Sequence, residues 1–383
     1  MTTSCFGKSD VLSMFVEMTE WLEKQQVADK GHQHCNAIYF PTEDRYCNRD
    51  TACASAVFMR QFSRTGKEAW KKKAECARDY VLAIQREQGG YPELRGSEDS
   101  DDGSAVNTSI IADNLIRAYA LGLEHGKRDL EALERMANFE LTLEWIPGAF
   151  YHDTNHLHAF KNNWGDKGSR IDCQNTTALS AMMLQRIYYF LKKNNANVKF
   201  EWLDAAGRAI KHLLEGQDPN GHWPYITGCD WIDMNHHGMV MFHLEEAAEF
   251  APYDQNSDIK QALMKGGKWL VEEGILQTKK GSKLDWAIQQ SACIYFTWGY
   301  FVTSASLARL ARFDPKNGEF WKYEALELLR YVRTDLWNNP EKNKEGPFRL
   351  IEGDIRKGYA WFGQSMGWCV YQLSDLITEM GWW

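Results

Sequence analysis

What this chain lacks narrows it before anything it contains. No apolar run approaches the ~20 residues that a membrane-crossing helix needs. Positive charge is not in surplus. There are 44 Lys and Arg against 52 Asp and Glu, a formal net charge of −8, which argues against a general role on nucleic acid or on an acidic membrane surface. The nine cysteines (Cys5, Cys35, Cys47, Cys53, Cys76, Cys173, Cys229, Cys293 and Cys369) are odd in number and form no CxxC pair. Neither a disulfide framework nor structural zinc is therefore expected. Most of them sit in apolar helical stretches, as reduced thiols in a reducing compartment would. The opening residues "MTTSCFGKSD" carry no signal-peptide pattern. Together these set a cytoplasmic expectation, although a processed secreted chain would read the same way. Strand-type alternation is scarce as well.

What the chain does have is length, helical periodicity and tryptophan. Its 383 residues, 44% of them hydrophobic, suffice for a large core. The helical stretches are of two kinds. Amphipathic ones with a charged face fall near 9–24, 67–87, 129–144, 199–215, 258–272 and 318–334. Stretches rich in small and apolar residues, with few charges, fall near 50–63, 105–121, 174–191, 235–249, 287–311 and 360–378. A helix apolar nearly all round has to be enclosed by others. The chain therefore reads as six hairpins, each an outer helix followed by an inner one, recurring about every 60 residues. Six such hairpins closing on themselves make an all-α (α/α)6 toroid, expected here as one domain over residues 1–383.

The inner helices begin alike: "NRDTACASA" from Asn48, "DDGSAVNTS" from Asp101, "DCQNTTALSA" from Asp172 and "DMNHHGMVM" from Asp233. Asp, Asn and Thr at such places cap helices by satisfying orphan backbone N–H groups. Asp50, Asp102, Asp172 and Asp233 fit that role. In a toroid, however, all inner helices enter from one face, so their first side chains and the positive ends of their dipoles converge on one cleft. Two adjacent histidines, His236 and His237, exceed what capping needs, and at least one is expected to face the cleft. His243, two turns on from His236, reads as a core or cavity-wall residue. Of the 16 Trp, Trp164, Trp223, Trp231, Trp286 and Trp361 lie beside Gly, Pro or Asp, where an indole can form a stacking surface for a sugar.

A cleft ringed by Asn, His, Arg and Trp suits β-elimination from a uronate. That reaction needs a neutralised carboxylate, a base for the α-proton and an acid for the leaving oxygen. The candidates for these roles are Asn175, Asn235, His236, His237, Tyr295, Tyr300 and Arg349. The loop "YHDTNHLHAFKNNWGD" (151–166) adds His152, His156, His158 and Trp164 and has the length of a flap. His156 and His158 form an HxH, which in a loop is weak support for a metal, and none is expected. On these residues the chain resembles the α/α-toroid carbohydrate-active enzymes, above all single-domain polysaccharide lyases. Asn175 and the "NHH" of 235–237 match, in type and place, that group's Asn and His at inner-helix starts. The resemblance implies that Asn175 and His236 neutralise the carboxylate and that His237, or Tyr295 or Tyr300, moves the protons. Arg349 would hold a neighbouring carboxylate. Arg49, Asn107, Asp102, Trp164, Trp231, Trp361 and Arg349 are the substrate-binding candidates, and Arg49, Lys167, Arg170, Arg349 and Arg356 offset the Asp-rich ring.

Three other readings use the same residues differently. A glycoside hydrolase would use Asp102 with Asp50 or Asp233 as acid and base. Asp99, Asp101 and Asp102 form a DxDD that resembles class II terpene cyclases, which also carry QxxxGxW turns like "QDPNGHW" (217–223). There the middle Asp would be the proton donor, although Gly-Ser follows the motif here in place of Thr-Ala. A sugar-binding scaffold would keep the Trp and need no His pair. The expectation is an enzyme on a poly- or oligosaccharide, without cofactor, nucleic acid or membrane.

Overall fold

A computed structural model describes residues 6–40, 45–92, 103–152, 173–225, 227, 234–250, 256–273, 297–337 and 366–383. Twelve α-helices occur among them, outer and inner in alternation. The outer ones are α1 (Lys8–Gln25), α3 (Glu68–Ala83), α5 (Lys127–Thr142), α7 (Phe200–Glu215), α9 (Ser257–Glu272) and α11 (Gly318–Tyr331). The inner ones are α2 (Asn48–Thr65), α4 (Ala105–Ala120), α6 (Gln174–Lys193), α8 (Met234–Ala247), α10 (Thr297–Phe313) and α12 (Met366–Glu379). Each inner helix packs on the next, α2 on α4, α4 on α6, α6 on α8, α8 on α10 and α10 on α12, and α12 returns to α2. The ring is closed, and the fold is the expected (α/α)6 toroid. Two short antiparallel hairpins, β1 (Ile38–Phe40) with β2 (Arg45–Cys47) and β3 (Glu144–Ile146) with β4 (Ala149–Phe150), sit in the connections. No described helix is long and apolar enough to cross a membrane.

Composition explains which helices are inside. The first two turns of α2, "NRDTACAS", are buried without interruption, as are the first eleven residues of α4. Small side chains there let six helices crowd one axis. The outer helices keep one buried stripe; in α7 it is Trp202, Ala205, Ala206, Ala209, Ile210 and Leu213. Local signals set the ends. Ser104 caps α4 through the Asn107 N–H (3.3 Å), and Asn256 caps α9 through the Asp258 and Ile259 N–H groups.

The hairpins share one clamp. Gly89, Gly148 and Gly221 all have positive φ (+104°, +89° and +104°), and a Cβ at each would strike a carbonyl of the next outer helix, at Arg135, Arg208 and Lys265. Only glycine meets both demands. Gln85 Nε2 donates to Gly89 O (3.0 Å) and to Ala132 O (3.0 Å). Gln217 repeats this with Gly221 O (2.9 Å) and Ala262 O (2.8 Å). The "QDPNGHW" turn is thus a structural tie between neighbouring outer helices. Glu140 of α5 ties outer to inner, accepting from Ser109 of α4 (3.4 Å) and from Ser180 of α6. Burial pushes its carboxyl up to about 8, against the pull of those two hydroxyls.

Candidate functional site

A repeated register locates every inner-helix side chain. Thr51, Thr108 and Thr177 each use Oγ1 to accept the backbone N–H of a residue in the preceding connection: Ile38 (2.9 Å), Tyr91 (3.1 Å) and Phe150 (3.2 Å). In α8 the same post is held by His237, whose Nδ1 accepts the Trp223 N–H at 3.0 Å. These four residues point outward, toward the turns. At about 100° per residue, the positions two before and nine after them face the axis.

This corrects the expectation for His237. Its side chain is 0% exposed. With Nδ1 occupied as an acceptor, Nε2 carries the proton and donates to Gly266 O of α9 at 3.3 Å. Burial, reinforced by His222, holds its pKa well below the usual imidazole range, against the Gly266 carbonyl. It is a neutral strut and moves no proton. Tyr300 is corrected likewise. It stands nine residues before Arg309, as His237 stands before Glu246, and its ring lies beside that of Tyr331 at the end of outer helix α11, centroids 5.6 Å apart. Trp223, a candidate platform, is a core residue with Nε1 donating to Leu213 O (2.8 Å).

The axis-facing positions at the helix starts are Arg49, Val106, Asn175, Asn235 and Trp298. Contacts show these starts converging. The Arg49 guanidinium lies 5.6 Å from the Trp368 ring, Trp368 is 4.8 Å from Trp298, and Trp298 meets His236 edge-on at 5.6 Å. His236 in turn stacks on Tyr225 at 4.1 Å. One strip of cation, two indoles, imidazole and phenol thus runs across the starts of α2, α12, α10 and α8. His236, unlike its neighbour, is only half-buried. Among the described residues, Asn175 Oδ1 and Trp368 Nε1, in side chains 2% exposed, have no hydrogen-bond partner, and neither do Asn48 Oδ1 and Asn107 Oδ1 at the starts of α2 and α4. A buried polar group left so is costly, and a ligand's donor and acceptor would relieve both Asn175 and Trp368.

Asp50 and Asn107 play structural parts. Asp50 Oδ1 accepts the N–H groups of Gly367 (2.6 Å) and Trp368 (3.3 Å), and Oδ2 accepts from Cys47 Sγ (2.9 Å). It caps α12 from α2 and so closes the ring. Burial raises its carboxyl to about 6 against Arg49 and these donors. Asn107 Nδ2 donates to Pro92 O (3.1 Å), a carbonyl it shares with Asn48 Nδ2 (3.4 Å). His243 is a core residue as expected, its Nδ1 donating to Glu246 Oε2 at 3.1 Å.

Tyr295, Trp164, Trp231, Trp286, Trp361, Arg349, Arg356, Lys167, Arg170, His156, His158, Asp99, Asp101, Asp102, Asp172 and Asp233 lie outside the described residues. Among the described residues no group of three or more His, Cys, Asp or Glu is placed to hold a metal. Sequence reasoning missed Trp298, Trp368 and Tyr225. The first two begin apolar inner helices, which was the available signal.

The described helices form a toroid of a known kind. The chain is similar to a D-mannose isomerase structure, with 13% identity, a TM-score of 0.68 and coverage of 98% of this chain and 100% of that one. It is also similar to cellobiose 2-epimerase from Bacillus thermoamylovorans (12%, 0.66, 96% and 100%). A third is the unsaturated glucuronyl hydrolase of Bacillus sp. GL1 (11%, 0.63, 97% and 96%). At these identities the likeness is one of fold. No protein-family model and no curated protein matches the sequence.

Proposed function

We propose that the chain, acting as one catalytic domain, is an enzyme on a sugar and that it moves a proton at the carbon next to a carbonyl. The observation that carries this is the half-buried His236, set between Tyr225 and Trp298 on a strip that ends in Arg49. An imidazole is the side chain best suited to take a carbon-bound proton near neutral pH. The enediolate left behind needs positive charge, which Arg49 and the inner-helix N-termini supply. Trp298 and Trp368 offer apolar faces to a pyranose ring, while Asn175 Oδ1 accepts a hydroxyl and Trp368 Nε1 donates to an oxygen. Return of the proton to the opposite face gives a 2-epimer, and its return to the neighbouring carbon gives the ketose. The isomerase and epimerase structures of similar fold support this outcome.

A second reading, β-elimination from a uronate, shares the first step and loses the substituent at the β-carbon. Arg49 favours it, because a guanidinium can neutralise the carboxylate beside the reacting carbon. Hydrolysis by Asp102 with Asp50 loses support, since Asp50 Oδ1 caps α12 and Oδ2 accepts from Cys47, whereas the pair Asp102 and Asp233 lies outside the described residues.

The experiment is incubation in D2O with mannose, glucose, cellobiose and a panel of uronate polymers, followed by proton NMR and by absorbance of the conjugated C4–C5 double bond. Deuterium next to the carbonyl of an aldose supports the first reading. A rise in absorbance selects the second. New reducing ends with neither signal refute both.

A further inference from the structure

At the far ends of the inner helices, nine residues after the outward-pointing register, stand Arg60, Arg117, Arg186, Glu246 and Arg309. Four of them are saturated with ion pairs. Arg117 meets Asp113 (2.9 Å), Asp375 (2.8 Å) and Glu246, and Arg186 meets Asp113 and Glu246 (3.0 Å). Arg309 meets Asp375 (2.9 Å), Glu379 (3.3 Å) and Glu246 (3.4 Å). Arg60 differs. Among the described residues it has no ion pair, and its buried Nε has no hydrogen-bond partner. Its guanidinium stacks 5.1 Å from the Trp383 ring. Burial holds its pKa below the usual guanidinium range, with Asp375 opposing and Arg117 adding to the effect. In Arg117, Arg186 and Arg309 burial also pulls downward, but their carboxylate partners outweigh it and the pKa is raised.

Beside Arg60 lies a cavity of about 190 Å³. Its lining combines the apolar Ala56, Val57 and Leu121 with Arg60, Arg117, Tyr371 and Ser374. Asp375 also lines it, but its carboxylate is taken up by Arg117 and Arg309. A guanidinium stacked on an indole keeps its in-plane N–H groups for an oxyanion. The space has room for a carboxylate with a short carbon body beside the guanidinium. We propose that this cavity binds a small organic carboxylate, which supplies the anion the ring lacks at Arg60. The site lies at the end opposite the mouth and does not depend on the activity proposed there.

The test is calorimetric titration and thermal unfolding of the full chain with sodium acetate, with sodium phosphate and sodium chloride at matched ionic strength. Acetate is expected to bind one to one and to raise Tm by about 2 °C at saturation. Arg60→Met should abolish both effects. Ala120→Leu, at the exposed rim of the cavity, keeps the charge and should weaken acetate at least tenfold, so the test stands even if Arg60→Met fails to fold. Acetate no better than chloride, phosphate preferred to acetate, or acetate binding that survives in Ala120→Leu would overturn the proposal.

Discussion

The two ends of the inner ring are built from the same six helices and solve opposite problems. At the helix starts the axis carries Arg49, Asn175, Asn235, Trp298 and, from α12, Trp368, with Asn175 Oδ1 and Trp368 Nε1 left unsatisfied. Eleven residues on, about 16 Å along four of these helices, stand Arg117, Arg186, Glu246 and Arg309, joined into a lattice with Asp113 and Asp375 from one turn earlier. Between them Cys53, Ile110, Leu179, Met239 and Val302 are buried and apolar, and α12 adds the buried polar Gln372. The difference is one of polar accounting. A buried charge lattice is tolerable only when nearly every member is paired, so the floor is a structural plug with one gap at Arg60.

The largest effect is expected at the floor. Glu246 neutralises Arg117, Arg186 and Arg309 and accepts from His243. Burial alone would raise its pKa, but the three arginines hold it well below the carboxylate range. Glu246→Ala leaves three buried cations short of an anion and should cost about 3–5 kcal/mol of unfolding free energy in urea. A loss under ~1 kcal/mol would mean the lattice is not what holds this end. Next comes the mouth. His236→Ala should lower turnover about 10²–10⁴-fold while moving the urea midpoint little, since the side chain is a half-buried strip residue and not a strut.

Thr177→Val removes the acceptor for the Phe150 N–H and should cost about 1–3 kcal/mol with kcat unchanged. A matching fall in kcat would mean that the outward register also shapes the mouth. The subtlest contrast is in pH. Glu140, held up to about 8, binds a proton in the folded chain that it has released in the unfolded one between its ordinary value of 4.5 and 8. Its contribution to stability is therefore present below that window and fades as pH rises through it, by about 1.4 kcal/mol per pH unit at most. Glu140→Gln should flatten the wild-type decline in stability between pH 5 and 8. An unchanged slope would place the linkage elsewhere.

The sequence revealed the ring more readily than the mouth. Helix type was legible because an outer helix needs one apolar stripe and an inner one is apolar all round, so six alternations implied closure. The candidate site was legible where residue type exceeded structural need: His236, Arg49 and Asn175, singled out on that ground, all lie at the inner-helix starts. It failed at His237 because the reason for that imidazole is a turn N–H at Trp223, fourteen residues away, visible only once Thr51, Thr108 and Thr177 are seen doing the same task. It failed at Tyr300 for the same reason of register. The floor left a trace that went unread: a charged residue nine positions beyond each of Thr51, Thr108, Thr177 and His237, inside the buried part of a helix. Asp50 looked like a cap and is one, but for a helix more than 300 residues downstream, a pairing that only ring closure creates.

One measurement bears most directly on the division between the two ends: deuterium incorporation next to the sugar carbonyl in D2O, run on wild type and His236→Ala with urea midpoints taken on the same preparations. The expected result is exchange in the wild type, none in the variant, and midpoints that agree. Exchange that persists in His236→Ala at an unchanged midpoint would contradict the assignment of chemistry to the mouth.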